Sequence, residues 1–170
     1  MITQFSAAEA DQNLNQLADL LIDAVDSGAS IGFLPPLPRE EATAYWREVI
    51  AAIQQGSRVL LVALHGDLVQ GSVQLGLEMR ANGNHRAETM KLFVHRRARR
   101  QGLAKALMAA AEDTARQLGR TLLVMDTRKG GEAEQMCHRL GYTKFGEVPR
   151  YARSSNGELH TTVFFYRELG

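Results

Sequence analysis

The chain of 170 residues predicts a domain of the α/β or α+β class built around a mixed sheet. Three observations carry this reading. Two helical periodicities precede three β-branched, apolar runs. Strand, helix, strand and helix patterns then alternate, which implies a crossover with locally parallel pairing. Turn signals at Gly66-Asp67 and Asn156-Gly157 mark hairpins on either side.

The elements follow in order. From Ala7 to Ser27, Leu14, Leu17, Leu20, Leu21 and Val25 recur at three- and four-residue spacing, an amphipathic helix ended near Gly28. Pro35, Pro36 and Pro38 form the one breaker-rich segment, too short for a domain linker, before a second helix from Arg39 to Gln55. Ser57–His65 and Leu68–Met79 read as paired antiparallel strands, and Ala87–Val94 as a third strand. Gly102–Leu118 has Leu103, Leu107, Ala111, Ala115 and Leu118 on one helical face and Gly119 past its end. Thr121–Asp126 is a short buried strand, and Gly131–Leu140 a short helix with Ala133, Met136, Cys137 and Leu140 inward. Tyr142–Tyr151 and His160–Arg167 complete the sheet. Phe164, Phe165 and Tyr166 divide between its core and its exposed face.

Length and composition, 45% hydrophobic and 23% charged, suit one domain spanning residues 1–170. The net charge of +1 gives no field able to hold nucleic acid or an anionic membrane, so any basic function is local. A single cysteine, Cys137, excludes an internal disulfide and a Cys-only zinc site, and a reducing cytoplasm is the simplest compartment. Met1–Phe5 lacks the basic and apolar regions of a secretory leader. The longest apolar runs, Val59–Leu64 and Ala106–Ala111, fall far below the roughly 20 residues of a membrane span. His85, His95, His138 and His160 share no ligand spacing, so no metal site is expected.

Lys91–Ala110 is the most informative stretch: a strand enters an arginine-rich turn, and Gly102, Leu103 and Ala104 then open a helix. Unpaired N–H groups and the positive end of the helix dipole converge there, and small residues let a phosphate approach the backbone. The stretch has neither the Gly-Lys-Ser/Thr of a P-loop nor a Gly-x-Gly-x-x-Gly fingerprint. An ordinary tight turn and a solvated basic loop are the structural alternatives.

Arg99-x-x-Gly102-x-Ala104, just past a strand, resembles the acetyl-CoA motif Gln/Arg-x-x-Gly-x-Gly/Ala of the GNAT superfamily of N-acetyltransferases. Ala133-x-x-Met136-Cys137-x-x-x-Gly141-Tyr142 resembles the second motif of that superfamily, and the two span about residues 87–146. A narrower likeness, to the tabtoxin-resistance type of acetyltransferase, is carried by His85–His95, Leu122–Gly130 and the segments VPRYA and TTVFFYREL. The resemblance implies the GNAT fold: a mostly antiparallel sheet of six to seven strands with a splayed parallel pair, flanked by about four helices. It also implies acetyl-CoA as co-substrate. Leu92, Phe93 and Val94 would hydrogen-bond the pantetheine arm through their backbone, as an added strand would. The N–H groups of Arg100, Gln101, Gly102, Leu103, Ala104 and Lys105 would hold the pyrophosphate, with Arg96, Arg97 and Arg99 as outer phosphate contacts. Family members often dimerise, and the final strand is a plausible edge for it.

Acetyl transfer needs a neutral amine, whereas an alkylamine, with a pKa of about 10.4, is mostly protonated at neutral pH. A carboxylate acting through water is the usual remedy. Glu88, six residues before Val94, stands where some GNAT enzymes place their base, and Asp126, at the end of its strand, is the second candidate. Their alternatives are a solvent-facing strand carboxylate and a turn cap. Cys137 occupies the position where many relatives carry a tyrosine suggested to protonate the departing thiolate. A small buried core residue is its alternative reading. Tyr142, Tyr151 and solvent are the replacement acids. Phe33, Leu34, Tyr45 and Trp46 either wall the acceptor pocket or pack ordinarily.

The leading reading is therefore acetyl transfer from acetyl-CoA to a primary amine of a small molecule, such as an antibiotic, toxin or polyamine. A protein N-terminus as acceptor and a catalytically impaired acetyl-CoA-binding module are its rivals.

Overall fold

The computed structural model describes all residues, Met1–Gly170. Its strands are β1 (Ile2–Phe5), β2 (Arg58–His65), β3 (Leu68–Leu77), β4 (Arg86–Val94), β5 (Leu122–Arg128), β6 (Thr143–Arg153) and β7 (Leu159–Glu168). The helices are α1 (Ala7–Gln12), α2 (Leu14–Asp26), α3 (Arg39–Gln54), α4 (Leu103–Gln117) and α5 (Glu132–Arg139). The seven strands form one sheet in the order β1-β2-β3-β4-β5-β7-β6, and only β4 and β5 are parallel neighbours. This is the predicted mixed, mostly antiparallel α/β architecture.

Two differences lie at the N-terminus. β1 was not anticipated, since four residues are too few to show a period, and pairing with β2 (Ile2↔Ala63 to Phe5↔Leu60) is what makes it a strand. The helix expected over Ala7–Ser27 is two helices broken at Asn13, giving five helices rather than four. Ser6 and Glu9 form a capping box that starts α1, and the Asn13 amide donates to the Glu9 carbonyl at 2.9 Å, closing it after two turns.

A third difference concerns the edge. β7 lies between β5 and β6, with both of its hydrogen-bonding sides occupied, so the final strand is not an edge; β1 and β6 are. A long antiparallel hairpin lets the last strand return inward, which its sequence alone does not disclose.

The continuous apolar run of β2 follows from burial on both faces. Val59, Leu61 and Ala63 join Val73, Leu75, Leu123, Met125 and Phe165 beneath α4 and α5. Leu60 and Val62 pack on the opposite face with Leu17, Leu21, Trp46 and Phe93, covered by α1–α3. Helix α4 sits close because β3 carries glycine there: a Cβ on Gly71 would lie 3.0 Å from the Phe93 carbonyl oxygen and 3.3 Å from Leu107 Cδ1.

β4 and β5 pair over three positions only, Arg86↔Leu122 to Glu88↔Val124. Beyond them β4 bulges: Ser72 opposes Phe93 and Gln74 opposes Met90, so Lys91 and Leu92 together face Val73, and Lys91 takes φ 54°. β5 instead follows β7 along its whole length, and the parallel pair opens into a cleft.

Leu107 is fully buried between α4 and the sheet. Leu107→Ala is expected to destabilise the fold by about 2–5 kcal/mol, read from the shift in the urea unfolding midpoint at unchanged slope.

Candidate active site

One wall of the cleft is the free side of β4. Past Glu88 this strand has no neighbour on its β5 side, so the backbone of Leu92, Phe93 and Val94 borders open space where an extended ligand can add as a strand. Phe93 and Val94 bury their side chains, so what they offer a ligand is backbone.

At the end of this wall the turn Arg99–Gly102 leads into α4. Arg100 (φ 61°) and Gly102 (φ 78°) both adopt the left-handed conformation, and Gly102 caps the helix with no side-chain hydrogen bond. The first intrahelical bond at this end is Ala106 N–H to the Gly102 carbonyl, which leaves the N–H groups of Leu103, Ala104 and Lys105 without helical acceptors. With the helix dipole behind them, these donors form a concave anion site. The residues present therefore fit a pyrophosphate joined to an extended arm.

The neighbouring arginines are exposed, and three of them each make one side-chain hydrogen bond to the protein. Buried Asp23 of α2 accepts the Arg96 backbone N–H at 2.9 Å and its guanidinium Nε, with His95 Nε2 at 3.7 Å. Arg97 donates to the Val69 carbonyl at 3.3 Å and Arg99 Nε to the Val94 carbonyl at 3.1 Å. Arg96 and Arg97 thus fasten the turn to α2 and β3, and Arg99 fastens it to β4. Each guanidinium keeps further N–H donors beyond these bonds.

At the other end of the cleft stand the two carboxylates. Glu88 is in register with Val124, and Asp126 lies two residues further along β5, so both side chains project from the face that α1–α3 share. Both are open to solvent, yet the cleft walls partly desolvate them. Desolvation raises the Glu88 carboxyl, and the Asp126 charge adds to this, while Arg58 and Lys91 oppose it. Desolvation also raises Asp126, against the pull of Lys91. Because both groups stay hydrated, these are cleft effects of moderate size rather than the shifts of buried acids.

Lys91 had no place in the sequence reading. The bulge turns it toward the α2–α3 loop, where its ammonium donates to the Ile31 carbonyl and lies 5.7 Å from the Phe33 ring centre and 5.8 Å from that of Tyr45. Desolvation lowers its pKa. Phe33 and Tyr45 stack edge-to-face at 5.3 Å and together hold the Lys91 ammonium. Trp46 is fully buried core, and Leu34 is exposed, lining with Phe33 a small crevice against Arg153–Ser155 of the β6–β7 hairpin.

The three groups considered as leaving-group acids separate cleanly. Cys137 is wholly buried, with Sγ 3.7 Å from Met125 Sδ, and burial pushes its thiol up to about 11. It is a core residue of α5, which matches its alternative reading as a small buried residue. Tyr142 is also buried; its hydroxyl donates to Glu112 at 3.2 Å under the Arg167 guanidinium, and desolvation raises its pKa. Tyr151 is exposed on β6, edge-on to Phe164 at 5.5 Å.

Comparisons with known proteins bear on the fold and the family. Among solved structures, the fold resembles a ribosomal-protein-alanine N-acetyltransferase from Brucella melitensis (TM-score 0.80, 22% identity, 99% of each chain). It also resembles an acetyltransferase from Salmonella typhimurium solved with acetyl-CoA (TM-score 0.78, 20% identity, 100% of this chain and 94% of that one). A third likeness is to a phosphinothricin acetyltransferase from Sinorhizobium meliloti in complex with acetyl-CoA (TM-score 0.80, 19% identity, 100% and 88%). These likenesses define an acetyltransferase fold. The model of the acetyltransferase (GNAT) family matches residues 22–142, and an uncharacterised N-acetyltransferase from the hisH-hisA intergenic region of Azospirillum brasilense is 34% identical over 119 residues, 69% of each chain. The chain belongs to the GNAT family and is an acetyl-CoA-dependent N-acetyltransferase.

Gly102→Val places a β-branched residue at φ 78° in the anion site. It is expected to weaken acetyl-CoA binding by about tenfold, on the order of 1–2 kcal/mol of backbone strain, as measured by titration calorimetry.

Proposed function

We propose that this chain, as a single domain over residues 1–170, acetylates the primary amine of a small molecule by direct attack within a ternary complex. The observation that carries the reading is the pairing of Glu88 and Asp126 on one face at the mouth of the β4–β5 cleft, both with raised carboxyl pKa. When bound, acetyl-CoA supplies a thioester carbonyl. The backbone of Leu92, Phe93 and Val94 aligns the pantetheine arm, and the N–H groups from Arg100 to Lys105 hold the pyrophosphate. A backbone N–H near the β4 bulge polarises the thioester oxygen.

Glu88 is the base. It accepts a proton from the ammonium of the acceptor, directly or through one water, and its raised pKa brings it nearer the range where a carboxylate is an effective base at neutral pH. Asp126 binds the same ammonium and, as a second negative charge, sustains the Glu88 shift. Holding both substrates in one cleft supplies the proximity that a bimolecular reaction in water lacks. With Cys137 and Tyr142 buried, the departing thiolate takes its proton from solvent. The likeness to the tabtoxin-resistance type supports a small toxin-like or antibiotic amine as acceptor, and a lone buried thiol suits a reducing cytoplasm.

Steady-state turnover with a panel of amines tests the reading. Glu88→Gln is expected to lower kcat/KM by about 10²–10⁴-fold with little change in acetyl-CoA affinity; retention of full activity would remove Glu88 from the mechanism. Because the base must be ionised, kcat/KM of the unaltered enzyme should fall as pH drops through the Glu88 pKa. That acid limb should sit above the ordinary carboxylate value of 4.5 and move to lower pH in Asp126→Asn.

A further inference from the structure

Beside Glu88 lies a cavity of about 440 Å³ lined by Arg58, Gly76, Leu77, Glu78, Arg86, Met90 and Val124 among others. One row of the sheet register runs through it, Arg58 of β2, Gly76 of β3, Glu88 of β4 and Val124 of β5. Side chains in one row share a face, so Arg58 and Glu88 flank the bare position of Gly76, two strand spacings or roughly 10 Å apart at Cα. A Cβ on Gly76 would lie 2.7 Å from Met90 Cε, so the Met90 methyl lies over the glycine. The cavity thus has an apolar floor with a cation at one end and the catalytic carboxylate at the other.

The other charges here are already matched. Glu78 accepts from Arg80 and Arg86 at 2.9 Å each, and the bonds from Arg80 hold its carboxyl at about 2. Lys91 is turned away onto the Ile31 carbonyl. Arg58 has no carboxylate partner. Its Nη1 donates to Gln74 Oε1 at 2.7 Å, and Gln74 Nε2 donates in turn to the Tyr45 hydroxyl at 2.9 Å, so the guanidinium is held in place from α3. Its Nε is buried with no hydrogen-bond partner. Buried donors in native proteins are nearly always satisfied, so this guanidinium keeps hydrogen-bonding capacity that Gln74 does not use, and a carboxylate is an anion that arginine takes up well.

We propose that Arg58 binds a carboxylate of the acceptor, and that the acceptor is an amino acid or similar amino-carboxylate whose amine lies against Glu88. This rests on the assignment of Glu88 as the base. A polyamine would set a second cation against Arg58, and a protein N-terminus would offer it only an amide carbonyl; neither completes the guanidinium.

The test compares L-amino acids with their α-amides and with the matching decarboxylated alkylamines, each kcat/KM expressed per neutral amine. The amino acid is expected to exceed its amide by about 10- to 100-fold, the range of a charge-assisted hydrogen-bonded pair. Arg58→Gln should collapse that ratio to about one, and Arg58→Lys should retain part of it. A ratio of one or less in the unaltered enzyme, or a full ratio in Arg58→Gln, overturns the assignment. The unaltered-enzyme ratio needs no variant to fold, and calorimetric binding of amino acid against amide in the presence of CoA gives a second reading of it. Acetylation of amides and alkylamines without preference for the carboxylate would sink this inference alone. No turnover of any amine by protein that binds acetyl-CoA would sink the functional reading with it.

Discussion

The cleft depends on the short pairing of β4 with β5. Hydrogen bonds join the two strands at three positions, and then the bulge at Lys91 and Leu92 and the loyalty of β5 to β7 pull them apart. A sheet interior normally leaves no backbone donor unpaired, since each orphan is costly. Here the exposed side of β4 is retained, which creates a demand for an extended ligand with its own amide groups. The same opening separates Glu88 from the anion site at α4 by the length of the strand, so one end of the cleft presents carboxylates and the other presents backbone N–H donors.

The anion end is made of backbone, and its surroundings keep it in place. Asp23 on α2 fixes the Arg96 turn, Arg99 ties the turn to Val94, and Gly71 allows α4 to approach the sheet. Three arginines of the cluster thus also clamp the loop. At the acceptor end the balance is electrostatic: two hydrated carboxylates, one lysine withdrawn onto the α2–α3 loop, and one arginine oriented by Gln74 but left without an anion. Cys137 and Tyr142 have both been absorbed into the core, where Cys137 meets Met125 and Tyr142 meets Glu112.

The sequence by itself determined the element types from Arg39 onward, because their apolar periods are long enough to outweigh ambiguity, and it placed Gly102 and Glu88 in local patterns tied to known chemistry. Local pattern could not reveal features made by residues far apart. β1 exists through its pairing with β2, β7 is interior because β6 folds outside it, and Asp23 meets Arg96 across 73 positions of chain. The tertiary structure alone decided which way Lys91 points, that Cys137 is sealed in the core, and that Arg58, Gly76 and Glu88 share one row. The physical reason is the same in each case: periodicity records which face a residue takes, while bulges, register and strand order decide what stands opposite it.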